Sequence, residues 1–298
     1  MNKNIFLLWL QGWEKAPWLQ QQVLKSWKEN NPSWNLELLD SKNLSKYVDD
    51  IDYIYDESKQ ISYQAKSDII RLSLLKKYGG VWADSTLLCM QPLDHWVFEA
   101  VQESGIWMYH GHGANLNSDI GPASWFIISE KNGYIIRKWK ESCDYYWSKN
   151  DLAHDYFWMD GLFKKLIETK KQFKNKWLKT PFIYCESIGS SHTLAHYNYK
   201  MQRNSKNLKE ILKSKPPYVI KLSSNWERIF PKLNSIKFKE SNAYYAIKMS
   251  KRKFVYKHKF DSNKSFKHPL KWRNYFVSFA KKFLKRFLKI FRVNYFFK

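Results

Sequence analysis

The chain has 298 residues and a formal net charge of +24, with 51 Lys and Arg against 27 Asp and Glu. Apolar residues make up 44% and aromatic ones 18%, so a sizeable core can form and intrinsic disorder throughout is excluded. Cys89, Cys143 and Cys185 are too few and too widely spaced for a disulfide framework or a close-spaced zinc pair.

The predicted elements begin with a continuous apolar run, Ile5 to Leu10, which suits a buried strand. That run is shorter than the apolar core of a secretory signal, and no stretch approaches the ~18 apolar residues of a spanning helix. With the cysteine pattern, this places the chain in a reducing cytoplasm. Pro17 suits a first helical residue, and Leu19, Val23, Leu24 and Trp27 share one helical face up to Asn30-Asn31-Pro32. Trp34, Leu36 and Leu38 alternate with polar residues as a second strand. A strand, helix, strand opening favours an α/β fold with a parallel sheet.

A short helix is expected at Leu44 to Val48 and a long one from Ser58 to Tyr78. The apolar stripe of the long helix runs Ile61, Ala65, Asp68, Leu72, Leu75, so Asp68 falls inside the stripe with Arg71 one turn on. A charge there is costly unless paired or used, so this is either a structural ion pair or a ligand site. Gly79-Gly80 caps the helix, Val81-Trp82-Ala83 is a short buried strand, and Asp84 emerges at its carboxyl end. In open α/β sheets that is the end at which ligands bind. Trp82 reads as core.

Further strands are expected at Ile106 to Tyr109, Trp125 to Ile128, Pro181 to Tyr184 and Tyr218 to Leu222. Further helices are expected over Ile135 to Tyr146 and from Asp155 to Thr169. His110 and His112 read as residues of a mobile loop and not as metal ligands. Asp155 and Asp160 either cap and solvate a helix or touch a sugar. From Lys251 to Lys298 there are 16 Lys and Arg against one acid, Asp261. Within this tail Trp272, Phe276, Phe279, Phe283, Phe287 and Phe291 recur at helical spacing among Lys281, Lys285, Arg286 and Lys289. This predicts a basic amphipathic helix over 271–293 lying on an anionic membrane surface, and not a nucleic-acid-binding helix. The expected division is a domain over 1–245 and a membrane-associating tail over 246–298.

Ser67-Asp68-x-x-Arg71, then Gly79-Gly80-Val81-Trp82-Ala83-Asp84, Pro92-Leu93-Asp94 and Asp155-Tyr156-Phe157 resemble glycosyltransferase family 32. In particular they resemble its sugar-binding region containing the D-x-D motif, and the bacterial capsular polysaccharide synthesis group. The resemblance implies a GT-A fold, a mixed and mostly parallel sheet flanked by helices, and retaining transfer from a nucleotide-sugar donor such as a UDP-sugar. The implied acceptor is a lipid-linked glycan, with the enzyme peripheral on the inner face of the plasma membrane. It implies that Trp9 stacks on the base, that Asp68 and Arg71 hold donor sugar hydroxyls, and that Asp84 places a divalent cation, Mn²⁺ or Mg²⁺. It also implies that Ser223 and Trp226 belong to a loop closing on the leaving group. Thr86 stands where the motif has its second Asp, and a hydroxyl is a poorer ligand than a carboxylate. Two alternatives stay open: a toxin-like protein glycosyltransferase, and a non-catalytic nucleotide-sugar-binding or scaffold protein.

Overall fold

The computed structural model describes residues 1–110, 122–181, 183, 204–214, 216–222, 229–230 and 235–251. The expected elements at Pro181 to Tyr184, the segment 111–117, Ser223, Trp226 and the helix over 271–293 lie wholly or partly outside these residues.

A five-stranded sheet forms the centre, in the order β2-β1-β3-β6-β5. Its strands are β1 (Asn4–Leu8), β2 (Asn35–Leu39), β3 (Gly80–Ala83), β5 (Ile106–His110) and β6 (Pro122–Ser129). β1 pairs in parallel with β2 and β3, and β6 runs antiparallel to both β3 and β5. Four strands therefore share one direction and β6 alone is reversed. This is the α/β class with the mixed, mostly parallel sheet that the sequence implies.

The period-two alternation of the strands builds a layer on each face. Ile5, Leu7, Val81, Ala83, Trp107, Tyr109, Phe126 and Ile128 face α1 (Trp18–Asn30) and α3 (Val97–Val101). Phe6, Leu8, Trp82, Ile106, Met108 and Ile127 face α2 (Tyr63–Tyr78), α4 (Tyr134–Lys149), α5 (Trp158–Thr169) and α6 (Lys171–Trp177). Strands covered on both sides read as continuous apolar runs, which is why β1 and β6 are visible in the sequence.

A second, two-stranded sheet pairs β4 (Leu87–Cys89) with β7 (Val219–Lys221), antiparallel. It packs with α7 (Lys206–Ser214), α8 (Ile236–Glu240) and α9 (Asn242–Ser250) around Leu88, Met90, Ile220, Phe230 and Phe238. The division expected at 245/246 falls inside α9, where Ala246, Ile247 and Met249 are buried in this third cluster. No helix of the described residues is long and apolar enough to cross a membrane.

Several expected bounds shift. α2 starts at Tyr63, not Ser58, because Asp56 Oδ1 accepts hydrogen bonds from the Ser58 amide at 2.9 Å and its hydroxyl at 2.6 Å. Such local bonds compete with a helix, and Ser62 Oγ then caps it by accepting from the Ala65 amide at 3.2 Å. α2 is also wider in its burial than a single stripe, with Ile69, Ile70, Leu72, Leu74 and Leu75 fully buried between the sheet and α4. Pro17 is the residue before α1 rather than its first member. The residues at 44–46 form a single 3₁₀ turn.

His110 does not belong to a loop. It ends β5, is fully buried, stacks on Trp177 at 4.6 Å, and its amide donates to the Ile183 carbonyl at 2.8 Å.

The α2–β3 junction is a tight passage. Gly79 has φ +67° as the helix cap, and Gly80 has φ +102°. A Cβ on Gly80 would meet the Asn4 carbonyl oxygen at 2.4 Å. Only glycine lets the chain leave α2 and enter β3 against β1 within two residues.

Candidate active site

The carboxyl ends of β1 and β3, the start of α2, the start of β6 and the end of β7 surround a cleft of about 470 Å³. Its floor is the stretch that the sequence marks out. Arg71 is 5% exposed and lies between two acids. Its Nη1 is 3.0 Å from Asp68 Oδ1, and its Nη2 is 3.2 Å from Asp84 Oδ1. Nη1 also donates to the Ser124 carbonyl at 2.9 Å and hydroxyl at 3.0 Å, and Nη2 to Ser67 Oγ at 3.2 Å. The guanidinium sits 5.1 Å from the centre of the Trp82 ring, whose Nε1 donates to Asp84 Oδ1 at 3.0 Å. Trp82 is core, as expected, and it also holds the acid in place.

Arg71 is thus both a structural ion pair and part of a cleft. The structural ion pair is present, and the same pair lines the cleft that the ligand reading requires. The planar guanidinium fixes Asp68 on α2 and Asp84 after β3 in one arrangement, which a flexible ammonium would not do.

Asp84 also meets Lys221 of β7, whose Nζ lies 2.5 Å from Asp84 Oδ2. The local chain explains the meeting. Asp84 turns at Ser85-Thr86, with the Leu87 amide donating to the Asp84 carbonyl at 2.8 Å. β4 follows at once, Leu87 pairs with Lys221, and the Leu222 amide donates to the Thr86 carbonyl at 2.9 Å. Burial alone would raise the Asp84 carboxyl, but Lys221 and Arg71 outweigh it and hold the group below its ordinary value. Asp84 is therefore ionised. Asp68 behaves in the opposite way. Burial lifts it to about 6, with Arg71 pulling it down and the neighbouring Asp84 pushing it up.

Asp160, on the first turn of α5, faces the same cleft and is lifted to about 7 by burial and by the charge of Asp68. Asp155 does not reach the cleft lining. It is exposed, precedes α5, and accepts a hydrogen bond from the Phe157 amide at 2.5 Å. The helix expected from Asp155 consequently begins at Trp158. Tyr156 and Phe157, 71% and 49% exposed, pack edge to face at the rim with ring centres 5.0 Å apart. Trp9 lies one residue beyond β1, not within it, and lines the wall. Asp94 lies outside the cleft lining. It clamps Ser33 Oγ at 2.8 Å, Trp34 Nε1 at 2.9 Å and Lys3 at 3.0 Å.

Among the described residues the donor set does not fit a resident divalent cation. Such ions take several oxygen ligands, mostly carboxylates and carbonyls. Both Asp84 oxygens carry cationic partners, and Thr86 supplies a hydroxyl where a second carboxylate is expected. Among the described residues no group of three or more His, Cys, Asp and Glu is arranged to hold an ion.

Sequence reasoning missed Lys221 and Ser124. Lys221 is the one charge in the apolar run Tyr218 to Leu222, and that break in the pattern was its signal. Ser124 carries no comparable mark, because a serine at the start of a strand is ordinary.

Over 157 residues the chain is 26% identical to "Glycosyltransferase afumC" of Aspergillus fumigatus, covering 49% of this chain and 39% of that protein. Over 160 residues it is 24% identical to "O-glycosyltransferase braB" of Annulohypoxylon truncatum, covering 47% of this chain and 36% of that one. The matched segments span well under half the length of these curated relatives. Among solved structures, the PaToxG glycosyltransferase superposes with a TM-score of 0.38 at 17% identity, over 59% of this chain and 73% of that one. The glycosyltransferase GlyE of Streptococcus pneumoniae TIGR4 superposes with a TM-score of 0.35 at 12% identity, over 75% and 55%. Both are distant likenesses. A family model described as capsular polysaccharide synthesis protein matches residues 1–233. The chain therefore belongs to the capsular polysaccharide synthesis protein family.

Proposed function

We propose that the cleft is the donor site of a retaining glycosyltransferase. It takes a nucleotide-sugar of the uridine diphosphate class and passes the sugar to a lipid-linked glycan in the synthesis of a surface polysaccharide. The observation that carries this reading is the Asp68–Arg71–Asp84 cluster at the carboxyl ends of parallel strands, lining a cleft of about 470 Å³. Family membership and the names of the curated relatives support it.

In this reading Asp68 and Arg71 hold sugar hydroxyls, Trp9 stacks on the base, and Asp84 orients the cations facing the leaving group. The bond from the anomeric carbon to the diphosphate oxygen breaks and its electron pair stays on that oxygen. The acceptor oxygen bonds to the same carbon and gives up its proton. Asp160, lifted to about 7, is suited to take that proton near neutrality. Arg71 engages both Asp68 and Asp84, so neither is free to attack the sugar. Retention then follows from internal return, in which the acceptor enters on the side the leaving group vacates. The tail over 271–293 brings the enzyme, cytoplasmic and peripheral, to its acceptor at the inner face of the membrane.

The test is turnover of a panel of UDP-sugars by the full chain and by Asp84→Asn and Asp68→Asn. Each variant is expected to remain folded and to lose roughly 100-fold or more in rate, as when a preorganised charge is removed. Turnover by Asp84→Asn at the rate of the unaltered protein would refute the assignment.

A further inference from the structure

We infer that Lys221 replaces the divalent cation and is the group that binds and neutralises the diphosphate of the donor. This rests on the reading of the cleft as a nucleotide-sugar site and adds a residue and a charge mechanism to it.

Arg71 and Lys221 are the only cations among the described residues lining the cleft. Their availability differs. Arg71 is 5% exposed, and its two terminal nitrogens are engaged by Asp68, Asp84, Ser67 and Ser124. It holds the floor together and keeps one buried donor without a partner among the described residues, its Nε–H, which suits a sugar hydroxyl and not a diphosphate. Lys221 enters from the other sheet, and one described contact, to Asp84 Oδ2 at 2.5 Å, fixes its ammonium. An ammonium carries three donors, so two remain for phosphate oxygens. Its side chain is 16% exposed, which keeps it reachable while excluding most water. A cation there acts through a low effective dielectric and is worth more than one on the surface.

The local charges support the substitution. Two carboxylates and a divalent cation sum to zero. One carboxylate, Asp84, and one ammonium, Lys221, also sum to zero. Thr86 at the second motif position and Lys221 beside the first therefore keep that balance without a metal. A second carboxylate at position 86 without a metal would leave the cleft floor too negative for a diphosphate. Lys221 acts as a charge and not as an acid: the electron pair of the broken bond settles on the phosphate oxygen, and the ammonium meets that charge by attraction alone.

The experiment measures calorimetric binding of UDP and of inorganic diphosphate, in EDTA and in Mn²⁺. It uses the full chain, Lys221→Gln and Lys221→Arg, with UDP-sugar hydrolysis followed in parallel. The unaltered protein is expected to bind UDP with an affinity that EDTA leaves within about twofold. Lys221→Gln is expected to lose about tenfold or more in affinity for both probes, and Lys221→Arg, which keeps the charge, far less. Because Lys221→Arg preserves the Asp84 pair, its retained binding separates loss of charge from loss of fold. UDP binding by the unaltered protein that collapses in EDTA and returns with Mn²⁺ would overturn the inference and leave the donor site standing. So would UDP binding that Lys221→Gln does not weaken. Failure of both probes to bind the unaltered protein under either condition would overturn the donor site and the inference together.

Discussion

Replacing Asp160 by Asn should make the protein more stable at neutral and alkaline pH. The carboxyl titrates near 7 in the folded chain against an ordinary value of 3.8, because burial and the Asp68 charge oppose its ionisation. A gap of about three pH units corresponds to about 4 kcal/mol. The sign follows from proton uptake. Between about pH 4 and pH 7 the folded chain holds a proton on Asp160 that the unfolded chain has released, so stability falls as pH rises through that window. Asparagine has nearly the same shape and never ionises, so this loss disappears. Against the gain stands the unmet hydrogen bonding of a half-buried amide, about 1–3 kcal/mol. The net expectation is a stabilisation of about 1–3 kcal/mol at pH 8, or roughly 2–5 °C in Tm for a chain of this size. Thermal unfolding of both proteins from pH 4 to pH 9, by circular dichroism or calorimetry, reads the difference directly. The difference should grow with pH and level off above about 7. A difference that does not change with pH, or an Asn variant that is less stable at pH 8, would refute the account of the Asp160 environment.

Two further outcomes are expected. Arg71→Met should cost about 3 kcal/mol at pH 8, the low end for a broken buried pair because Asp84 keeps Lys221. The loss should shrink near pH 5, where Asp68 takes up a proton, and a variant equally stable at both pH values would contradict the site electrostatics. Removing residues 252–298 should release the protein from vesicles containing anionic lipid, since each Lys or Arg near such a surface contributes about 1 kcal/mol. Unchanged co-sedimentation with those vesicles would rule out the tail as the anchor.

The centre of this site was legible because its residues are close in sequence. Asp68, Arg71 and Asp84 span less than 20 positions, and helix periodicity, a glycine pair and a strand end place them without any knowledge of the rest. β1 and β6 were legible because sheets covered on both faces leave continuous apolar runs. What was hidden depended on distant pairing. β4 is three residues long and cannot be told from a loop until β7, 132 positions away from Leu87 to Val219, supplies its partner. The start of α2 was misplaced because Ser58 bonds locally to Asp56, a choice that helix propensity alone does not rank. The widened burial of α2 likewise came from α4, which covers the face a stripe would leave wet.

The Asp84–Lys221 contact joins residues 137 positions apart, whereas Asp68, Arg71 and Asp84 come from one short segment. Loop-closure entropy therefore predicts that the two halves of the cleft form on different schedules, the acidic floor by local helix and strand formation and its counter-charge once β7 pairs with β4 across a long loop. On the proposed reading of the cleft, a chain with only its central sheet in place has an acidic floor without its counter-charge, so diphosphate affinity would report completion of the second sheet and not of the central sheet alone.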